Sequence, residues 1–120
     1  MTSTYQIAQR LADLVGRGEF EAAQRELFAQ DAVSIEPQAS EHFAKETRGL
    51  PAIIEKGRKW GEMVENVHSC SVSVPLVAGN AIALTLTMDV SMKGSGRMQL
   101  AEVCVYEVEK GKIISEQFFM

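Results

Sequence analysis

Residues Gly96–Met120 read GRMQLAEVCVYEVEKGKIISEQFFM, and this stretch decides the fold. Two β-type runs flank Glu109-Lys110-Gly111, a spacing that fits a three-residue hairpin loop with the glycine left-handed. Successive residues of a strand point to opposite faces. Glu102, Cys104 and Tyr106 therefore share one face, and Val103, Val105 and Glu107 the other. With Val108 paired to Lys112, Cys104 lies opposite Glu116 and Glu102 opposite Phe118. One face of the hairpin then carries two carboxylates among apolar side chains. That suits the wall of a binding pocket better than the wall of a plain core.

Two further β runs precede this hairpin, so four follow one another: Val67–Val77, Ala81–Met92, Arg97–Val108 and Lys112–Met120. Their separators, Gly79-Asn80, Lys93–Gly96 and Glu109–Gly111, all have hairpin character. The first half is helical. Ile7, Leu11, Leu14 and Val15 recur at helical spacing and predict an amphipathic helix over 3–16, ended by Gly16-Arg17-Gly18. A second helix, Glu19–Phe28, has Phe20, Ala23, Leu27 and Phe28 as its stripe and acids in its first turn. Ala32–Glu36 is a short strand running into Pro37. Gln38–Arg48 is a polar loop of the kind that forms a mobile lid. Leu50–Val64 is a third helix with Pro51 in its first turn, where a missing N–H costs little. Its stripe is Ile53, Ile54, Gly57, Trp60, Gly61 and Val64. Helices first and an antiparallel meander last make an α+β pattern, with the helices on one sheet face.

The chain has 120 residues, enough for one domain and one core. It is 46% hydrophobic and 23% charged, an ordinary globular balance. A net charge of −4 argues against a nucleic-acid surface, which wants a basic stripe. The densest basic group, Lys56-Arg58-Lys59, reads as the solvated face of a helix. Met1–Gln6 is polar and lacks the apolar run of a signal peptide. No stretch approaches membrane-spanning length, so a cytoplasmic protein is expected. Cys70 and Cys104 fall in separate strands, two apart in the meander. That puts them about 10 Å from each other, beyond disulfide reach, and both are expected as free thiols. The acids show no metal-ligand spacing, and neither a metal nor a cofactor is expected.

Three segments resemble a known family. They are Gly18–Ala23 (GEFEAA) with Leu27–Pro37 (LFAQDAVSIEP), Arg48–Ile54 (RGLPAII), and Glu102–Phe119 with its Gly111-Lys112-Ile113. Together they are similar to the SnoaL-like branch of the superfamily that shares the fold of nuclear transport factor 2. The resemblance covers nearly the whole chain, as a single domain over 1–120. It implies three N-terminal helices packed on a curved, mixed, mainly antiparallel sheet, a cone with a pocket at its wide end. It fixes function poorly, since the family holds isomerases, cyclases, dehydratases and epoxide hydrolases beside members that only bind or pair. Glu36-Pro37 matches the place where ketosteroid-isomerase-like members carry an Asp general base before a proline. Cys104 and Leu11 fall where that enzyme carries its two oxyanion-hole donors. The resemblance therefore implies that this chain is not a ketosteroid isomerase, and leaves Tyr106 as a substitute donor.

Simple hairpin pairing extends the pocket face across the sheet. A two-residue turn at Gly79-Asn80 puts Cys70 opposite Asp89 and His68 opposite Ser91. The Lys93–Gly96 loop puts Thr87 opposite Glu102 and Thr85 opposite Cys104. The concave face then gathers His68, Cys70, Val72, Thr85, Thr87, Asp89, Glu102, Cys104, Tyr106, Glu116 and Phe118. The convex face carries Leu84, Leu86, Met88, Val90, Val103, Val105 and Phe119, and in the family a second subunit covers that face. A one-residue shift would flip a strand. Leu84, Leu86 and Met88 would then line the pocket, and Asp89 would face solvent or a partner.

The expected site follows. Glu36, Glu102, Glu116 and Tyr106 are the candidate catalytic residues, and Trp60, His68, Asp89, Cys104 and Phe118 the candidate pocket lining. Glu36 or Glu102 would be the base, because a carboxylate in an apolar pocket has a raised pKa suited to proton transfer near neutrality. Tyr106 or a protonated Glu116 would donate to a developing oxyanion. Each acid also has a structural reading, as a carboxylate satisfied by backbone N–H groups or by an arginine. The expected partners are a small, partly apolar organic molecule and a second copy of the chain. The alternative is a non-catalytic ligand-binding or dimerising module.

Overall fold

The structure, a computed structural model, describes residues 2–120; Met1, the first residue of the polar N-terminal stretch, lies outside them. Helix α1 (Thr4–Gly16) begins at Ser3, whose hydroxyl accepts the Gln6 N–H while the Gln6 side chain accepts the Ser3 N–H. This reciprocal capping satisfies donors that a helix start leaves open. Ile7, Leu11, Leu14 and Val15 are buried along one face, as their spacing requires. Gly18, at φ +76°, turns the chain into α2 (Phe20–Leu27), which runs directly into β1 (Phe28–Ile35). That strand starts four residues before the predicted Ala32. Part of the predicted loop is instead a short strand, β2 (Glu46–Arg48), antiparallel to β1. Helix α3 (Leu50–Met63) follows with Pro51 in its first turn.

The remaining strands are β3 (Val64–Val72), β4 (Leu76–Ala78), β5 (Ala81–Met92), β6 (Gly96–Glu109) and β7 (Lys112–Phe119). They form one sheet in the order β2-β1-β7-β6-β5-β3, with β4 also on β5. Among the described residues only the β1–β7 pair is parallel. The expected α+β architecture of three helices on a mixed, mainly antiparallel sheet is present. The predicted single strand Val67–Val77 is broken into β3 and β4 around Pro75, which has no N–H to give a ladder.

Register decides which side chains meet. In the β6–β7 hairpin the turn has two residues, Lys110 and Gly111, both at positive φ, and Glu109 pairs with Lys112. That moves the expected pairing by one residue. A bulge between Glu107 and Val108 moves it by one more. Two such steps restore the face, so Glu102, Cys104, Tyr106, Glu116 and Phe118 remain on one side. Their partners change: Tyr106 lies opposite Glu116, and Cys104 opposite Phe118. Glu102 and Glu116 are thus two cross-strand pairs apart, not diagonal neighbours.

In the β5–β6 hairpin a single step has the opposite result. Gly96, at φ +81°, is the first residue of β6 and pairs with Met92, leaving a three-residue loop, Lys93–Ser95. Leu84 then pairs with Cys104 and Leu86 with Glu102. Ile82, Leu84, Leu86, Met88 and Val90 are all buried on the inner face, and Thr85 and Thr87 are exposed on the outer one. The expected apolar outer face of β5 is corrected, and Asp89 leaves the concave face with it. The core lies between this inner face and the helices. Among the described residues no helix is long and apolar enough to cross a membrane.

Candidate functional site

Four elements bring a polar cluster to one place inside an apolar shell. Strand β1 alternates Ala32 and Ser34 on its inner face, with Glu36 continuing the alternation just past its end, and Ser34 is fully buried. Strand β7 lies parallel to it, with Glu116 beside Ser34. On the other side of β7, Tyr106 of β6 is the partner of Glu116. Helix α3 adds Lys56, one turn beyond the buried Ile53 and one turn before Trp60.

These groups are linked by hydrogen bonds. The Lys56 ammonium donates to Glu36 Oε2 at 2.8 Å and to Ser34 Oγ at 2.7 Å. The Ser34 hydroxyl donates in turn to Glu116 Oε2 at 2.7 Å. Lys56 also lies 5.5 Å from the centre of the Phe118 ring, within cation–π range. Glu102, one strand away, has a weaker contact: the Cys104 thiol approaches its Oε1 at 3.8 Å.

A cavity of about 520 Å³ opens over this cluster. Glu36, Lys56, Glu102, Tyr106 and Glu116 supply its polar wall. Leu11, Val15, Phe20, Phe28, Phe43, Ile53, Trp60, Leu86, Met88, Leu100 and Phe118 supply most of the apolar one. Phe43 comes from the segment after Pro37. Lys59 holds that segment, donating to the His42 carbonyl at 2.6 Å and lying 5.3 Å from the Phe43 ring centre. At the rim Arg58 gives two hydrogen bonds to Glu21, both 2.9 Å, and ties α3 to α2.

Burial sets the proton affinities. It pushes Glu116 up to about 7. The Ser34 hydroxyl and the Lys56 charge hold back part of that rise, while Glu36 and Glu102 add to it. Glu102 is pushed up to about 6, first by burial and then by the charge of Glu36. Burial, then Glu116, raises Tyr106 well above an ordinary phenol, so it stays a neutral O–H donor. Burial, then Glu102, raises the Cys104 thiol above its usual range. The cavity therefore holds two carboxyls that exchange protons near neutrality, beside a fixed ion pair.

The expected site residues divide into three groups. Glu36, Glu102, Glu116, Tyr106, Trp60 and Phe118 all line the cavity. Cys104 is fully buried within the sheet, between Glu102 and Tyr106 along β6, and does not line it. Asp89 and His68 are not in the cavity. Asp89 turned outward with the register of β5, where Arg97 grips it with bonds of 2.9 and 2.8 Å. His68 sits where the β3–β5 register shifts, exposed and hydrogen-bonded to Ser91 at 2.7 Å. Cys70 and Cys104 are free thiols. Among the described residues no group of three His, Cys, Asp or Glu is placed to hold a metal ion.

Lys56 and Ser34 were missed. Lys56 is expected with Arg58 and Lys59 on the solvated face, yet it falls between Ile53 and Trp60 on the helix stripe. Ser34 lies two residues before Glu36, so alternation puts it on the same side as Glu36.

The model of the SnoaL-like domain family matches residues 1–120. No curated protein matched the chain. Among solved structures, a candidate SnoaL-like polyketide cyclase from Mesorhizobium loti is 31% identical with a TM-score of 0.91, covering 99% of this chain and 100% of its own. A protein of unknown function with a cystatin-like fold from Xanthomonas campestris is 21% identical at a TM-score of 0.81, covering 98% and 90%. An NTF2-like protein from Burkholderia thailandensis is 20% identical at 0.81, covering 99% and 91%. The last two are similar in fold. With its whole length matched and its cavity at the helix–sheet junction, this chain belongs to the SnoaL-like domain family.

Proposed function

We propose that the protein binds a small, partly apolar organic molecule in its cavity and moves a proton on it. The observation that carries this reading is the pair Glu102 and Glu116 in one cavity, pushed up to about 6 and about 7. Near neutrality Glu102 is mostly ionised and accepts a proton from carbon or oxygen. Glu116 is poised to hold or return one, and Tyr106 is a neutral donor at the same wall. Glu36 fixes Lys56. The likeness to a candidate polyketide cyclase supports chemistry of this class. The free thiols fit a reducing compartment, the cytoplasm.

The test is solvent exchange. The protein is incubated in D2O with a panel of small, partly apolar molecules, and carbon-bound deuterium is read by mass spectrometry. The wild type should label at least one of them, and Glu102→Gln should stop it. Ligands that bind and never exchange would make the non-catalytic module the correct reading.

The same proposal includes a two-fold dimer through the outer sheet face. Val103 and Phe119 are exposed there as a cross-strand pair, with Val105 the next residue on that face of β6. Sedimentation should give a dimer at micromolar concentration, and Val105→Lys should weaken it. A monomer at that concentration removes the dimer.

A further inference from the structure

We infer that the cavity takes an organic cation, a small protonated amine whose charge is balanced by Glu102 and Glu116 and whose carbon body rests on the aromatic wall. This rests on the reading of the cavity as a small-molecule site and adds the charge of the ligand. Four carboxyls line the cavity, Glu21, Glu36, Glu102 and Glu116, against two cations, Lys56 and Arg58. Both cations are engaged: Arg58 gives two bonds of 2.9 Å to Glu21, and Lys56 one of 2.8 Å to Glu36. Among the described residues neither Glu102 nor Glu116 is in an ion pair. The best donor that Glu102 has is the Cys104 thiol at 3.8 Å. Glu116 is only 5% exposed, and its Oε2 accepts the Ser34 hydroxyl. Its Oε1 has no hydrogen-bond partner among the described residues, and the residue lines the cavity. A buried oxygen without a donor is costly, and an ammonium brings up to three N–H groups.

The apolar wall suits the same ligand. Phe20, Phe28, Phe43, Trp60 and Phe118 line the chamber, and aromatic faces attract cations, the indole most strongly. Phe118 and Phe43 already have Lys56 and Lys59 near their rings, while among the described residues Trp60 has no cation over it. A neutral ligand leaves both carboxyls unpaired, and a carboxylate ligand adds a further negative charge. An ammonium instead favours the ionised form of Glu102 and Glu116, so its binding expels the protons they hold near neutrality. Of the other titratable groups facing them, Cys104 and Tyr106 stay neutral in this range and Glu36 is paired with Lys56.

The experiment compares three probes of similar size: benzylamine, protonated from pH 5 to 8, benzyl alcohol and benzoate. Trp60, the one tryptophan of the chain, lines the cavity and reports binding by its fluorescence. At pH 8 benzylamine should bind about ten- to a hundred-fold more tightly than benzyl alcohol, the worth of a charged hydrogen bond, and benzoate more weakly than either. Benzylamine should lose about ten-fold or more in affinity from pH 8 to 5 as Glu116 and Glu102 take up protons, and benzyl alcohol should lose none. Glu116→Gln should weaken benzylamine at pH 8 and leave benzyl alcohol unchanged. Glu102→Gln should act in the same direction, and decides if Glu116→Gln does not fold. Equal binding of benzylamine and benzyl alcohol, tighter binding of benzoate, a benzylamine affinity that is flat from pH 5 to 8, or no binding of any probe at millimolar concentration overturns the inference. Deuterium exchange separates the two claims. Neutral molecules that exchange while benzylamine does not bind defeat the inference and leave proton transfer standing. Benzylamine bound as expected, with no molecule exchanging, upholds the inference and removes proton transfer.

Discussion

Asp89 on β5 and Glu102 on β6 are carboxylates of adjacent strands, one on each face of the sheet. Asp89 points outward, where the Arg97 guanidinium holds it below the usual carboxylate range. Glu102 points inward, has only the weak Cys104 thiol as a donor, and is pushed up to about 6. Face alone separates a solvated, paired acid from a buried one able to exchange protons. Face in turn depends on whether Gly96 belongs to a loop or to a strand.

The comparison breaks most sharply if the faces of β5 are reversed. Leu84→Asp puts an unpaired carboxylate into the core beside Cys104 and should cost about 4 kcal/mol or more in urea unfolding. Thr85→Asp, one residue on, should change stability by less than about 0.5 kcal/mol. The opposite ranking would mean that the outer and inner residues of β5 had been exchanged.

A pH series sharpens it. A carboxyl with a raised folded pKa binds more protons folded than unfolded between its two values. Its stabilising effect is therefore complete below the ordinary value near 4.5 and is lost as pH rises through about 7 for Glu116. That loss is about 3 kcal/mol by the linkage between pKa and stability. Glu116→Gln should flatten the decline and leave the smaller share of Glu102, which ends near 6. Denaturation of both proteins from pH 4 to 8 measures the difference. Equal slopes would show that Glu116 is not the group responsible.

The outer pair should be separable from the cavity. Arg97→Met should raise the Asp89 pKa toward its ordinary value and leave deuterium exchange unchanged, because an exposed pair contributes little. A loss of exchange would link the two faces. The smallest shift is expected at Glu116 in Glu102→Gln: its pKa should fall only slightly, since Glu102 is the weakest of the influences acting on it.

Much of the fold was legible because its signals were local. Helical stripes, Pro51, and glycines at turns placed the helices and most strand ends within a few residues. The β6–β7 face survived an error in the turn because a bulge added a second one-residue step. The β5 face did not survive, since nothing in Lys93–Gly96 states whether Gly96 closes the loop or opens the strand. Pro75 did announce its break, and weighing its missing N–H would have divided the long strand. In the site, the acids and aromatics of the inner face were legible by alternation. Lys56 was obscured by two charged neighbours that do face solvent, and its link to Ser34 joins residues distant in sequence.

Carbon-detected NMR titration of the side-chain carboxyls tests the account most directly. Glu102 should titrate near 6 and Glu116 near 7, with Asp89 below its ordinary value. Ordinary or depressed values for both Glu102 and Glu116 would contradict it, and would remove the physical basis for proton transfer in this cavity.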